Sequence, residues 1–523
     1  MPFRRVRAAG PGGSASARRF HGADSSTTSG SPHDTQSGAR FMKKKSQIVS
    51  FMVCSAICSA ATAADQQVAG DETEEMPGMV VEGTRLSDVS GKEVKSADLA
   101  EALFKKVPEV SLVRRSGIAN DIVLRGQKKD NINILVDGAK IYGACPNRMD
   151  PPTSHILTNN VEAVEITEGP YDVENFGTLS GAVKITTREP EEGFNGEVSA
   201  NGGAWNYRKL AATLSGGSER VRGLVSASSE SSDQYQDGDG RTFAEQMEAN
   251  GVDPTRLYQP RYRDMEAYTK RTVMGRLDMQ VTDGQQLSLS YTANRSDDVL
   301  YPTSPMDAPW QDSDIVTADY TVSDLGRWSK RLEFSAYRSW VDHPMSTEFR
   351  QVAAMMGAMV NDMSSSISGL RIKNRFELGD ATDMTVGFDT SLRNWDGAYS
   401  GEMMMSWIDG YASIDDVDTE NRALFAELER DFGALVMEFG ARYDDTSIEP
   451  GSSSQPANDY SGFSAYAKGT WQMSDSTRLF GGVGQSRRVP DARELYFTMP
   501  MRNADTGMVM VMNVGNPDLD QTT

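Results

Sequence analysis

The stretch TDGQQLSLSY, residues 282–291, sets a short turn before a segment in which apolar and polar side chains alternate. Alternation with a period of two is typical of a β-strand whose two faces meet different surroundings. From Phe194 onward the pattern recurs in segments of about ten residues. Examples are the stretches 224–228, 332–337, 384–388, 423–428 and 436–443. These segments predict about thirteen antiparallel strands.

The connections between these segments alternate in length. Short turns such as 282–284 and 379–381 separate long polar stretches at 233–266, 343–365 and 396–418. Membrane β-barrels carry short turns at one end and long loops at the other. A soluble β-sandwich is the alternative, but its connections would not alternate so regularly. The predicted fold class is therefore a transmembrane β-barrel.

The barrel strands predicted in residues 191–523 are too few to close a plugged barrel. Unpaired strand edges are not tolerated in lipid, and plugged transporters have 22 strands. The last residues, 519–523, are polar and contain no closing strand. We therefore expect a partial barrel of the 22-stranded type, in a chain whose C-terminal strands are missing.

The first 94 residues predict export and a lead-in segment. Lys43, Lys44 and Lys45, a short apolar core over 48–57 and the small residues 61–63 form a signal peptide over 42–63. Residues 1–41 have no apolar periodicity and are interpreted as a non-native leader from a mis-assigned start. Residues 64–94 are predicted to be a periplasmic N-terminal segment. Export removes Cys54 and Cys58 and leaves Cys145 as the single thiol, which therefore cannot form an internal disulfide.

Residues 95–190 predict a compact α+β unit. The spacing over 97–106 indicates a helix with Ser96 as its N-cap, and strands are expected at 121–126, 132–136, 163–166 and 181–187. Within 64–94, the run Met79-Val80-Val81 is prone to β structure. Such a run suits addition to the sheet edge of a partner protein, or it is an ordinary first strand.

The charge of the chain is strongly acidic. The chain carries −21, and after residue 63 it holds 44 basic and 72 acidic side chains, a net charge of −28. Nucleic-acid partners need a basic footprint and are excluded by this balance. The acidic charge suits cation collection, although such an excess also serves solubility alone.

Several blocks resemble TonB-dependent outer-membrane receptors. Val123-Leu124-Arg125-Gly126, residues 134–138, residues 164–170 and residues 181–187 are similar to the plug domain of that family. Residues 488–496 and 515–519 resemble its mid-barrel signature. The resemblance implies a plug inside the barrel lumen, a TonB box at Met79, Val80 and Val81, TonB as partner, and a Gram-negative outer membrane as location.

The positions of cysteine, methionine and histidine residues indicate which cargo the receptor carries. Cys145 and Met149 are four residues apart in a proline-rich loop, so one helical turn would bring both sulfurs to the same side. His343 and Met345 follow a predicted strand. Thiolate and thioether ligands select Cu(I), and imidazole also suits copper. This pair of motifs resembles copper receptors of the OprC/NosA type, which implies a copper ion, Cu(I) or Cu(II), held by Cys145, Met149, His343 and Met345.

Each of these residues also has an ordinary structural interpretation. A lone cysteine is usually a small buried hydrophobe, and methionine usually fills gaps. His155 belongs to no motif and is interpreted as a group that supports the ligands. Loop methionines could gather copper or serve packing, and they form three groups: Met355, Met356, Met359 and Met363; Met403, Met404 and Met405; Met499, Met501, Met508, Met510 and Met512.

The predicted function is the binding and import of copper, free or delivered by a carrier, by a receptor embedded in outer-membrane lipid. A siderophore or cobalamin receptor is the rival within transport, and it would present aromatic and arginine groups at the mouth. A passive adhesin would need loops without metal ligands. The sequence shows no pairing of nucleophile and base, and few histidines remain for acid–base work, so no enzyme is predicted.

Overall fold

The computed structural model describes the backbone of residues 83–86 and residues 98–523 except 327 and 504. The predicted leader, signal peptide and TonB box lie outside the described residues. The N-terminal unit consists of one helix and eight strands: β1 (Gly83–Leu86), α1 (Leu99–Lys106), β2 (Val110–Arg114), β3 (Asn120–Leu124), β4 (Gln127–Lys128), β5 (Ile132–Val136), β6 (Ala139–Lys140), β7 (Val161–Glu168) and β8 (Gly181–Thr187).

A mixed sheet in the order β1-β7-β8-β5-β6 forms the centre of this unit, with β5 and β8 parallel. Helix α1 packs Leu99 and Leu103 into the same core as Ile122 and Ile166. Its N-cap is Asp98, whose carboxylate accepts from the N–H of Ala100, so the prediction of Ser96 as the cap is wrong. Asp98 is the N-cap because its carboxylate also accepts a hydrogen bond from the N–H of Asn120 at 2.9 Å, which fixes the start of the helix to β3.

The remainder of the chain forms one large antiparallel sheet. Its strands are β9 (Gly193–Gly202), β10 (Arg208–Gly217), β11 (Val221–Ser232), β12 (Tyr268–Thr282), β13 (Gln285–Val299), β14 (Ala308–Ser323), β15 (Ser329–Asp342), β16 (Met345–Ser346), β17 (Met359–Glu377), β18 (Thr382–Gly401), β19 (Ala412–Asp431), β20 (Leu435–Glu449), β21 (Asn458–Ser474) and β22 (Thr477–Gln485). They pair in chain order, except that the two-residue β16 lies beside the path on β17. The path thus holds thirteen strands, which confirms the predicted number.

The two faces of this sheet differ as the alternation predicts. Apolar side chains such as Leu289, Tyr291 and Phe388 are exposed on the outer face. Polar side chains such as Lys270 and Asn294 are buried on the inner face, against the N-terminal unit. An apolar outside and a polar inside are the arrangement of a membrane β-barrel wall, so the predicted fold class is confirmed. The sheet is open, because β9 and β22 do not pair with each other in the described part of the chain.

The large sheet of β9 to β22 is called the wall below. Turns of two to five residues connect its strands at one end, and loops of five to 35 residues connect them at the other. Two predicted loops are shorter than expected. The stretch 343–365 ends where β17 begins at Met359, and in 396–418 only residues 402–411 lie between strands. Residues 359–365 and 396–401 show no regular apolar–polar alternation, so the pattern did not predict that they pair as the ends of β17 and β18.

Short helices lie on the loop side of the wall: α2 (Phe243–Ala249), α3 (Gln351–Met356) and α4 (Ala492–Tyr496). After β22 the chain forms the hairpin of β23 (Thr498–Arg502) and β24 (Val509–Asn513). Single 3-10 turns occur at Lys129–Asn131, Pro152–His155, Thr158–Asn160, Pro254–Arg256, Pro260–Tyr262 and Met403–Ile408. None of the described helices has the length and apolar character needed to cross a membrane.

Hydrogen bonds from the wall hold the loop that follows β6. Ser339 Oγ donates to the carbonyl of Lys140 at 2.7 Å, and Trp395 Nε1 donates to the carbonyl of Ala144 at 2.7 Å. Asn294 Nδ2 donates to the carbonyl of His155 at 2.6 Å. Buried backbone groups of the loop thus find partners on the wall, and this fixes the position of residues 140–155 against β13, β15 and β18.

Candidate metal site

The loop 141–152 is shaped by one carboxylate. Asp150 accepts from the N–H of Ala144 at 2.5 Å and from the N–H of Cys145 at 2.9 Å. Arg148 N–H donates to the carbonyl of Cys145 at 2.9 Å, which closes a β-turn with Pro146 at its second position. The expected helical turn between Cys145 and Met149 is therefore wrong. Pro146 favours a β-turn, and the carboxylate of Asp150 accepts hydrogen bonds from the N–H groups at the start of that turn.

Gly143 is required by the close approach of the two ends of this loop. A Cβ at position 143 would lie 2.3 Å from the backbone oxygen of Asp150 and 2.8 Å from its Oδ1. Real Cβ atoms do not tolerate such contacts with backbone. The glycine therefore lets Asp150 reach the N–H groups of Ala144 and Cys145.

We expect Gly143→Ala to displace the loop and to weaken any metal binding at this candidate site about 10- to 100-fold, as substitutions of residues that support metal ligands commonly do. Metal affinity, measured by competition with a chromophoric chelator, tests this. Gly238→Ala is the matched control, because a Cβ there meets open space and the backbone needs no positive φ. Wild-type affinity in Gly143→Ala would contradict the proposed role of the close approach.

His343 and Met345 lie where the chain leaves β15. The N–H of His343 donates to the carbonyl of Met363 at 2.8 Å, which anchors the residue to β17. Met345 is the first residue of β16, which pairs with β17 through Asn361. Nε2 of His343 lies 3.1 Å from Sδ of Met345, so the imidazole and the thioether are in contact. Nδ1 of His343 has no hydrogen-bond partner among the described residues.

The structure brings the two predicted pairs together. One ligand atom each from Cys145, Asp150 and His343 lies within 4.8 Å of the others. Met345 is in contact with His343, and Met149 lies in the loop 141–152 together with Cys145. All five side chains are buried, with exposures of 7 % or less. A thiol, a carboxylate, an imidazole and two thioethers thus share one buried region.

A cavity of about 290 Å³ opens beside these residues and is lined by Cys145, Met149 and Met345. Four further methionines line it: Met306, Met359, Met363 and Met499. Others in the predicted methionine clusters are exposed, including Met355, Met403, Met404, Met501, Met508, Met510 and Met512. The clusters therefore divide into methionines that line the cavity, of which Met363 is buried and Met499 is 38 % exposed, and methionines that are exposed on the loops.

The protonation states follow from burial. Burial, reinforced by the charge of Asp150, raises the pKa of the Cys145 thiol to about 12. Burial lowers the pKa of His343 below its usual value, against the opposing charge of Asp150. At neutral pH the thiol is protonated and the imidazole is neutral. A metal that binds Cys145 must therefore displace one proton, whereas His343 is ready to donate its lone pair.

Asp150 and Met306 are site residues that sequence reasoning missed. Asp150 has no motif spacing, because its role depends on the folded loop. Met306 lies in the connection between β13 and β14, and only the paired strands bring it to the cavity. His155 lies in the adjacent 3-10 turn, and its Nε2 has no hydrogen-bond partner among the residues described. Burial lowers the pKa of His155 to about 4, so it is neutral at physiological pH.

A buried ion pair joins the loops above the site. Arg350 donates from Nε to Asp307 at 2.6 Å and from Nη2 to Asp307 at 2.7 Å, and both side chains are fully buried. The guanidinium also reaches Tyr258 OH at 3.1 Å and the carbonyl of Tyr301 at 3.1 Å. Tyr301 OH in turn donates to the carbonyl of Met149 at 2.6 Å. This loop clasp (Tyr258, Tyr301, Asp307 and Arg350) connects three loops of the wall to the Cys145–Met149 turn.

Comparison with protein families gives two matches in the expected order. The model described as TonB-dependent Receptor Plug Domain matches residues 84–182. The model described as TonB dependent receptor-like, beta-barrel matches residues 217–523, more than half of the chain. The two matches correspond to the N-terminal α+β unit and to most of the large sheet.

Solved structures show the same fold in proteins with different cargoes. A structure titled "Copper transporter OprC" aligns with a TM-score of 0.67 and 23 % identity over 77 % of this chain and 62 % of that one. The FrpB iron transporter from Neisseria meningitidis aligns at 0.61 and 16 % identity, over 78 % and 64 % respectively. The siderophore receptor PirA from Acinetobacter baumannii aligns at 0.62 and 13 % identity, over 84 % and 66 %. The chain thus spans about two thirds of the length of these proteins or slightly less.

Proposed function

This chain belongs to the family of TonB-dependent receptors, and we propose that within this family it binds copper at the buried sulfur-rich site and imports it. The observation that carries the proposal is the convergence of Cys145, His343 and Met345, contributed by the plug and by a wall loop. Thiolate, thioether and neutral imidazole together favour Cu(I) over hard cations. The copper transporter among the similar structures supports the same choice.

The proposed ligands are Cys145, Met149, His343 and Met345, with Asp150 holding the turn in place. Copper displaces the proton of the Cys145 thiol on binding. The wall supplies His343 and Met345, whereas the plug supplies Cys145 and Met149. A rearrangement of the plug would therefore separate the two pairs and release the metal. We propose that the receptor lies in the outer membrane of a Gram-negative bacterium and that TonB drives this step through the segment at Met79–Val81.

A metal inventory of the purified protein tests the proposal. We expect about one copper per chain after incubation with Cu(I), and displacement by Ag(I), which shares the preference for sulfur. A ferric siderophore and cobalamin, offered to the same protein, should neither bind nor displace the metal. Failure to retain copper from either Cu(I) or Cu(II), together with binding of one of these chelates, would replace copper by the rival cargo.

Met345→Leu separates a ligand from a packing residue. Leucine keeps the buried apolar volume but removes the thioether, so we expect copper affinity to fall about 10- to 100-fold while the fold is retained. Met355→Leu is the matched control, since Met355 lies in the same loop and is 62 % exposed. A competition titration with a Cu(I) chelator measures both variants. Equal affinities in the two variants would remove Met345 from the ligand set.

A further inference from the structure

Cys145 also lines a second cavity, of about 170 Å³, whose charge is opposite to that of the chain. The chain carries −21, yet six cationic side chains line this basic cavity: Lys128, Lys129, Arg148, Arg393, Arg488 and Arg493. Three acidic side chains accompany them: Asp130, Asp491 and Glu494. The basic cavity lies between the plug loop and the segment that follows β22.

The acidic groups are already engaged. Asp130 accepts from Arg148 at 3.2 Å, and Glu494 pairs with Arg488 at 2.8 Å. The pKa of Asp491 lies well above its usual value, because the group is buried and shares a hydrogen bond with Asp130. The raised pKa favours the neutral form of Asp491, which therefore offers less negative charge to the cations than an ionised carboxylate would. Asp121, just outside the cavity lining, also pairs with Arg148 at 3.2 Å, so Arg148 and Arg488 are balanced by carboxylates while the other four cations are not ion-paired.

Four cations of the basic cavity have no carboxylate within ion-pair distance in the described part of the chain: Lys128, Lys129, Arg393 and Arg493. Burial, and then the charge of Arg493, lower the pKa of Lys129, so Lys129 and Arg493 repel each other across the basic cavity. Nε of Arg488 and Nε of Arg493 are buried and have no hydrogen-bond partner among the described residues. Buried donors without acceptors are costly, and an anion would satisfy them.

Arg393 is held in an orientation that suits recognition of a carboxylate. Its guanidinium stacks 3.9 Å from the ring of Tyr142 and 4.3 Å from the ring of Trp395. Its hydrogen bond to a side chain runs from Nε to Ser365 Oγ at 3.4 Å. The two rings fix the plane of the guanidinium while its terminal N–H groups stay available. A fixed planar fork of this kind binds carboxylates through two parallel hydrogen bonds.

We propose that the basic cavity binds a small carboxylate anion that arrives with the metal as part of the cargo. The inference rests on the proposed function, because it names the second component carried with copper. The volume accommodates on the order of ten water-sized groups, which suits a small di- or tricarboxylate. Since Cys145 lines both cavities, an anion bound here lies beside the metal and can share it. Arginine and aromatic side chains thus lie beside the sulfur and imidazole ligands at the same mouth of the receptor.

Calorimetric titration of the metal-free protein with citrate tests the anion site. We expect measurable binding that weakens about tenfold or more in Lys129→Gln/Arg493→Gln, because the double variant removes two cations that would make charge-assisted hydrogen bonds to the anion. Lys129→Gln alone should give a smaller loss and covers the case in which the double variant does not fold. Arg220→Gln is the control, since Arg220 is an exposed cation in the turn between β10 and β11. It should bind citrate like the wild type.

Failure of this inference and failure of the copper proposal are distinguishable. Citrate should still bind to Cys145→Ala, whereas copper should not. Absence of citrate binding up to about 10 mM, a weak interaction by any measure, overturns the site, as does unchanged binding in the double variant. Inorganic phosphate that binds as tightly as citrate overturns the carboxylate assignment. Copper loading should tighten citrate binding several-fold, and an unchanged affinity overturns the claim that the anion travels with the metal.

Discussion

Cys145→Ala is expected to abolish stoichiometric copper binding. The thiolate is the strongest of the proposed ligands, and the remaining thioethers and imidazole are neutral. Substituting a residue that only supports the metal ligands typically lowers metal affinity about 10- to 100-fold. Removing a ligand itself should have a larger effect, so we expect Cu(I) affinity to fall at least about 1000-fold. Elemental analysis of the purified variant, with a competition titration against a Cu(I) chelator, measures the effect.

The fold should survive this change. Cys145 is 4 % exposed and its backbone N–H, which donates to Asp150, is kept in alanine. Hydrogen exchange of the plug backbone provides the control, and it should match that of the wild type. Retention of one tightly bound copper in a folded Cys145→Ala protein would show that the metal binds elsewhere, and the proposed ligand set would have to be abandoned.

Arg350→Met is expected to have the largest effect on stability. The substitution leaves Asp307 buried without its cation, and breaking a buried pair in this way costs about 3–5 kcal/mol. The guanidinium also bonds to Tyr258 and Tyr301, so the loop clasp should open. Native-state hydrogen exchange over 243–262 and 300–307 measures the free energy of local opening. Copper affinity should fall as well, because Tyr301 holds the carbonyl of Met149.

Two variants separate the buried charge from general damage to the loop. Arg350→Met/Asp307→Asn removes both charges and should recover part of the loss, since an uncompensated buried charge is the main cost. Arg263→Met removes a half-exposed arginine that pairs with Glu248 at 2.9 Å in the loop that also carries Tyr258, and it should cost no more than about 1 kcal/mol. Equal destabilisation by Arg350→Met and Arg263→Met would refute the clasp.

The strands were predictable from sequence because the wall has one apolar and one polar face, which imposes a period of two. Residues 359–365 and 396–401 were predicted as loop, because apolar and polar side chains do not alternate regularly there. The sequence also did not reveal Asp98 as the N-cap of helix α1. Its choice over Ser96 depends on a bond to Asn120, which sequence spacing does not reveal.

The soft side chains of the candidate site could be selected by chemistry, but their convergence could not. Cys145 and His343 meet because the loop after β6 is held by the wall and because β15 ends beside it. Asp150 carried no sequence signal, since its carboxylate matters only once the turn has closed. The link between Arg350 and Asp307 spans 43 residues and depends on strand register. Tertiary pairing, rather than local pattern, determines these features.

The burial of the Cys145 side chain has a consequence for its chemical durability. Oxidants and disulfides react with the thiolate form of an accessible sulfur. Burial raises the pKa of Cys145 to about 12, so the unreactive thiol form predominates at neutral pH. We therefore expect the Cys145 thiol to resist oxidation to sulfenic acid and the formation of mixed disulfides. A metal that displaces the proton of this thiol does not need the free thiolate in advance, so the same burial would hinder oxidants more than it hinders such a metal.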